Sequence, residues 1–150
     1  MSTRCQIRFI ERYKNGKKFV TQIYRQSDGY LEGVVPDLYE FFKWYMSEPI
    51  SREGDPSYAG ADFIYWSKQR LDEEFKKGGF DKLGYGIENV GDIHGDEEYL
   101  YEVDLTGATS PDDVLIRYSD DFPDVHAFEK AKWSKWYKLG TLYEKINKEQ

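Results

Sequence analysis

Asp92 and His94 stand two residues apart in the string Gly91-Asp92-Ile93-His94-Gly95. That spacing puts both side chains on one side of a strand end, where a carboxylate and an imidazole can share a divalent ion. Asp96 and Glu97 follow at once. The set is then one imidazole among several carboxylates, a donor mix suited to an adventitious divalent site. His94-Gly95-Asp96 equally has the chemistry of a turn between two strands. His126 is the only other histidine. Neither histidine has the setting that nucleophilic catalysis needs, beside a Ser or Cys and oriented by a carboxylate. Cys5 is the single cysteine, which excludes an internal disulfide and every multi-cysteine metal site; in an apolar strand it reads as an inert buried thiol. Gly84-Tyr85-Gly86 lacks the third glycine and following helix of a phosphate-cradling loop. With 28 acidic residues, carboxylate pairs arise by chance, so no chosen pair marks glycosidase chemistry.

A second set surrounds Tyr24-Arg25-Gln26-Ser27-Asp28-Gly29-Tyr30. Residues 3–26 read as a β-hairpin about Asn15-Gly16, a strong type I′ turn signal. With those two residues as the loop, Lys14 pairs with Lys17 and Ile7 falls opposite Tyr24. Arg4, Arg8 and Arg25 then share one face. Three guanidiniums with Asp28 and Tyr30 nearby can clamp a phosphate or carboxylate. The plainer reading makes Asp28 a turn cap paired with Arg4 or Arg25. A third set lies near the C-terminal end, where Trp133, Trp136 and Tyr137 interleave with Lys130, Lys132, Lys135 and Lys138. Such a pattern can stack on bases or lie at a membrane surface. It is more simply a helix with an inward aromatic stripe and solvated lysines, leaving Trp133 at its margin for a dimer or partner contact.

The elements that must position these groups follow from periodicity. Leu38, Phe41, Phe42, Tyr45 and Met46 recur at helical spacing, with Pro36 suited to a first helical position. A second helix is expected from about Ala59 to Lys77, with Phe63, Ile64, Leu71 and Phe75 inward and Gly78-Gly79 as its cap. A second hairpin is expected at 84–105, where Tyr99, Tyr101, Val103 and Leu105 alternate with polar positions. Ser110-Pro111-Asp112-Asp113 has the form of an N-capped helical turn, and Val114 to Tyr118 suits a fifth strand. Residues 125–148 are expected to form a closing helix with Phe128, Trp136, Leu139, Tyr143 and Ile146 on one stripe. Together these predict a single α+β domain over 1–150: a mostly antiparallel sheet of two hairpins and a fifth strand, with about three helices against it.

Composition supports a folded chain. The mean hydropathy of -0.79 suggests disorder only because tyrosine scores as polar; 26 of the 150 residues are aromatic. Each such ring buries about 150–250 Å². The net charge of -7 disfavours nucleic acid and anionic membrane as partners. Charge is unevenly spread: residues 1–27 carry seven Lys/Arg against Glu11 alone, while residues 81–129 carry fourteen acids against Lys82 and Arg117. The two blocks are expected to neutralise one another across the fold. No apolar run reaches some 18 residues and the first residues form no hydrophobic signal, so the expected location is the cytoplasm.

Two resemblances are carried by short strings. Gly91-Asp92-Ile93-His94-Gly95 resembles the first metal-binding motif of calcineurin-like and phosphoprotein phosphatases. It covers five residues, and no Gly-Asp-x-x-Asp-Arg or Gly-Asn-His-Glu block follows. Thr3-Arg4-Cys5-Gln6-Ile7, Tyr24 to Tyr30 and Gly95-Asp96-Glu97-Glu98-Tyr99-Leu100-Tyr101 are similar to segments of a group of small uncharacterised phage, viral and prokaryotic proteins. Those begin Thr-Arg-x-x-Ile and continue to Tyr-x-His-x-Asp-Gly-Tyr-Pro; here Gln26 replaces the histidine and Leu31 the proline. This resemblance implies a fold and no activity. The expectation is a non-enzymatic interaction protein with no cofactor, of the kind mobile elements use to engage a host protein (in the host cytoplasm for a virus), and able to pair as a homodimer. Its candidate contacts are Arg4, Arg8, Arg25, Asp28, Tyr30, Trp133 and Tyr137. The alternative is a metal-dependent phosphoesterase or nuclease using Asp92, His94 and Asp96.

Overall fold

The computed structural model describes residues 2–47, 54–75 and 84–149. Strands β1 (Cys5–Arg12) and β2 (Lys18–Arg25) form the expected hairpin. Its loop has three residues, Lys14 to Gly16. Gly16 N–H donates to the Tyr13 carbonyl at 3.0 Å and Tyr13 N–H to the Lys17 carbonyl at 2.8 Å, with Gly16 left-handed at φ 86°. This is a type I turn closed by a left-handed glycine, the usual three-residue hairpin loop. The extra loop residue shifts the register by one from the two-residue expectation. Ile7 therefore faces Ile23, and Cys5 faces Arg25. A one-residue slip moves every side chain of a strand to the other face.

Helix α1 spans Leu31–Tyr45 and α2 spans Pro56–Phe75. α1 begins five residues before Pro36, which lies inside it. Its stripe is as expected, with Leu38, Phe41, Phe42 and Tyr45 buried. Phe63 of α2 is buried and Ile64 packs against the core, whereas the side chains of Leu71 and Phe75, and Gly78-Gly79, lie outside the described residues. Strands β3 (Tyr85–Glu88), β4 (Tyr99–Asp104), β5 (Leu115–Ser119) and β6 (Tyr137–Lys138) complete a sheet of order β3-β2-β1-β4-β5-β6. All neighbours are antiparallel except β1 and β4, which run parallel. The fold is α+β, with a mostly antiparallel sheet and helices packed on it. The hairpin expected at 84–105 does not form, because β3 adds to β2 while β4 adds to β1. β4 is buried over its four inner residues, so burial on both faces, rather than the turn before it, sets its place at the centre.

One face carries the main core: Cys5, Ile7, Phe9, Ile23, Tyr101, Val103 and Ile116 meet side chains of α1, α2 and the last helix, Leu139–Glu149. Phe9 meets Phe42 and Phe63 edge-on at 6.0 and 5.7 Å, and Phe41 meets Phe63 edge-on at 5.2 Å. These rings and their neighbours pair largely edge-on at the centre of the core, an arrangement the ring quadrupole favours. The closing helix is shorter than expected. Residues 125–138 give a one-turn helix α3 (Ala127–Lys130), an extended stretch and β6, and only Leu139–Glu149 form α4. The extended stretch covers the second face of the sheet, where Leu100, Ala127 and Phe128 form a smaller cluster bordered by Ile93, Phe122 and Trp133. Arg117 on that face lies under two indoles, 4.4 Å from the Trp133 ring and 4.7 Å from the Trp136 ring. These contacts, each about 0.5–2 kcal/mol, hold the stretch flat rather than coiled.

The basic first strand lies against the acidic middle of the chain. Arg4 pairs with Asp96 at 3.2 Å, Arg8 with Glu102 at 3.8 Å and Arg12 with Asp104 at 3.4 Å. Among the described residues, no helix is long and apolar enough to cross a membrane.

Candidate functional site

The corrected hairpin register separates the three arginines expected on one face. Arg4 and Arg8 lie on the face covered by residues 120–136, and Arg25 points to the helical face. Arg8 is buried there, its guanidinium 3.8 Å from the centre of the Phe128 ring and its Nε donating to Gln22 Oε1 at 3.0 Å. Burial lowers its pKa from the ordinary value, against the opposing pull of Glu102 and Glu129. Arg4, Arg8 and Arg25 form no common clamp.

The Gly91–Gly95 string lies in a loop docked on that same face. Gln22 donates to the Asp92 carbonyl at 2.7 Å and to Gln6 Oε1, and accepts from Gly91 N–H at 3.0 Å. Glu97 receives Gln6 Nε2 at 2.6 Å and the backbone N–H groups of His94 and Gly95 at 2.8 Å each. The turn chemistry is present, with Gly91 and Gly95 left-handed at φ 99° and 97°. The side chains disperse. His94 meets Glu88 through Nε2 and stacks on Tyr24 at 4.1 Å, while Asp96 pairs with Arg4 and accepts from the Tyr24 hydroxyl at 3.2 Å. Among the described residues, no three His, Cys, Asp or Glu side chains are grouped to hold a metal ion. Trp133 donates its indole N–H to the Phe128 carbonyl at 3.1 Å, and Tyr137 stacks on Tyr118 at 6.2 Å, so both rings have structural neighbours. Burial pushes the Cys5 thiol up to about 12, so it stays protonated and non-nucleophilic at neutral pH.

Arg25, Asp28 and Tyr30 do come together, at a cavity of about 290 Å³ bounded by the end of β2, the start of α1, the middle of α2 and the start of β3. Each wall has a local cause. Asp28 takes a left-handed conformation (φ 55°), which turns the chain from β2 towards α1; Asp tolerates it better than most residues. Gly33 lets the first turn of α1 approach closely, since a Cβ there would sit 2.3 Å from the Asp28 carbonyl oxygen. Asp37 is one turn further along α1. Trp66 and Arg70 stand four residues apart on α2, a spacing that places them side by side. Arg70 lies 4.4 Å from the Trp66 ring centre.

Arg25 is the buried member, 5% exposed. Its Nη2 meets Asp37 Oδ2 at 2.9 Å and its Nε donates to the Ser27 carbonyl at 2.8 Å. Arg70 Nη1 takes the other Asp37 oxygen at 3.2 Å. One carboxylate thus serves two guanidiniums, and Arg25 Nη1 is left buried without a hydrogen-bond partner among the described residues. Both Arg25 partners, Asp37 and Ser27, line the cavity with it. Burial disfavours the Arg25 charge, yet Tyr85 and Asp37 outweigh it and hold the pKa above the ordinary value. Burial also raises the Tyr85 phenol, which stays neutral at physiological pH. The Tyr30 hydroxyl donates to Asp28 Oδ1 at 3.0 Å.

Sequence reasoning named Arg25, Asp28 and Tyr30 and missed Asp37, Trp66, Arg70 and Tyr85. The i, i+4 pair on α2 was the only local signal; the remaining approach is tertiary. Comparison with protein-family models, with curated proteins and with solved structures gives no match.

Proposed function

We propose that this protein works by binding rather than by catalysis, and that its recognition site is the polar, aromatic-walled cavity around Arg25. One observation carries the reading: a guanidinium nitrogen buried without a partner among the described residues, on a side chain that lines the cavity. An unpaired buried donor of a charged group costs free energy on the order of 1–3 kcal/mol or more, a cost that a ligand oxygen would relieve once a small rotation of the guanidinium opened that nitrogen to the cavity. The cavity is at the small end of ligand pockets, which run about 300–1,000 Å³. Its size suits a metabolite or one residue of a partner protein. The lining contains no histidine or cysteine, and its Asp37 carboxylate is engaged by two arginines. Such a lining, with the exposed Asp28 and Glu32 carboxylates at its edge, offers donors, acceptors and stacking surfaces for a ligand.

The reading is tested by titrating ¹⁵N-labelled protein with acetate, inorganic phosphate and small carboxylates, and following the Gly84, Tyr85 and Trp66 signals. Saturable shifts confined to these residues support it. Unmoved signals with every anion and with zwitterionic amino acids alike would remove the cavity as a recognition site.

A further inference from the structure

The cavity carries more chemistry than a bare anion site needs. Among the described residues its charged lining comprises Arg25 and Arg70 against Asp28, Glu32 and Asp37, an excess of one negative charge. Asp37 is engaged by both arginines, which leaves the anionic edge to Asp28 and Glu32. Asp28 uses one oxygen to accept from Tyr30, and both residues are exposed at the start of α1. A phosphate dianion entering here would gain Arg25 and Arg70 but also meet the Asp28 and Glu32 carboxylates. A simple cation would gain the carboxylates and leave Arg25 Nη1 unpaired. Trp66 and Tyr85, both half-buried, add ring surface to the wall.

A ligand that answers all three features carries an anionic oxygen, a cationic nitrogen and an apolar group within a space of about 290 Å³. We propose that the cavity binds a free α-amino acid with an aromatic or large apolar side chain. With a small rotation of the guanidinium that opens Nη1 to the cavity, the α-carboxylate accepts from Arg25, the α-ammonium faces Asp28 and Glu32, and the side chain lies against Trp66 and Tyr85. This assignment rests on the reading of the cavity as a recognition site and names its ligand class. Charge-assisted contacts at both ends account for the mixed lining, since each end is worth more than a neutral hydrogen bond.

The test compares L-phenylalanine, N-acetyl-L-phenylalanine, L-phenylalaninamide and glycyl-L-phenylalanine by calorimetry and by the same NMR signals. L-Phenylalanine is expected to saturate one site. Loss of either charge, in the acetyl or amide analogue, is expected to weaken binding at least tenfold, as is the wider charge separation of the dipeptide. Glu32→Gln, an exposed change that spares the fold, is expected to weaken L-phenylalanine several-fold and leave the acetyl analogue unaffected. Arg25→Gln should abolish binding; circular dichroism checks that it folds, and if it does not, the Glu32→Gln comparison decides. Equal binding of the acetyl analogue would overturn the amino-acid assignment and keep an anion site. Equal binding of the amide would leave a cation site. Tighter binding of the dipeptide would assign the cavity to a peptide. Unmoved Gly84, Tyr85 and Trp66 signals with all four compounds and with phosphate would overturn the recognition site itself.

Discussion

Arg25 on β2 and Asp37 on α1 meet at 2.9 Å, and this pair ties the sheet to the helix that follows it. The guanidinium is almost fully buried while the carboxylate is 28% exposed. Removing Asp37 strands a buried charge, the expensive way to break such a pair. Asp37→Ala is expected to destabilise the protein by about 2–3 kcal/mol, below the range for a fully buried pair because water reaches the carboxylate. Urea denaturation measures it. An effect under about 0.5 kcal/mol would mean that Arg25 finds another partner.

Gly33 offers a contrary case to helix propensity. Alanine in a helix is favoured over glycine by about 1 kcal/mol. The Gly33 Cβ position lies 2.3 Å from a backbone oxygen, which a side-chain adjustment cannot relieve. Gly33→Ala is therefore expected to destabilise by about 1–3 kcal/mol despite the better propensity. Thermal unfolding of the variant checks the sign.

Glu97 anchors the 89–98 loop through three donors. Glu97→Ala leaves the Gln6 amide and two backbone N–H groups without that acceptor. The expected cost is about 2–4 kcal/mol, with selective loss of hydrogen-exchange protection at His94 and Gly95. Uniform loss across the sheet would contradict a local anchoring role.

The protein should lose stability in alkali. The Cys5 thiol, with an ordinary value of 9.0, ionises in the fold only near 12, because burial opposes its charge. Burial and the neighbouring Asp96 likewise raise Tyr24 from 10.0 to about 12. Above pH 9 the unfolded chain gives up protons that the folded chain retains, so stability is full below pH 9 and falls between 9 and 12. The slope is about 1.4 kcal/mol per pH unit for each group fully inside its window. Denaturation midpoints measured from pH 7 to 11 check this. Cys5→Ala should remove the decline between pH 9 and 10 and leave the tyrosine part above it.

The class of fold was legible because hydrophobic period is a local property. The Leu38, Phe41, Phe42 and Tyr45 stripe and the alternation from Tyr99 to Leu105 each named their element. Register was not legible. The Asn15-Gly16 pair suits a two-residue loop, and only the hydrogen bonds to Tyr13 show the third residue. That single position moved Arg25 across the sheet and dissolved the arginine clamp. The expected helix at 125–148 failed for a similar reason. Trp133 and Trp136 fit a helical stripe, but both rings are held by Arg117, a residue no local window contains. The cavity was half legible: Arg25, Asp28 and Tyr30 are neighbours in the chain, whereas Asp37, Trp66, Arg70 and Tyr85 reach it through three other elements.

The parallel β1–β4 contact has a consequence for time. Cys5 pairs with Tyr99, so the centre of the sheet closes only after 94 residues have been brought round. The β1–β2 ribbon can form within microseconds, but its free flank has no partner until β4 emerges. During synthesis the first two strands and the two long helices therefore leave the ribosome before their central neighbour exists. Contacts this distant along the chain slow folding. The nascent chain exposes the β1 flank for seconds at ordinary elongation rates of about 5–20 residues per second. In that interval the acidic second half, still to come, is what the basic first strand lacks.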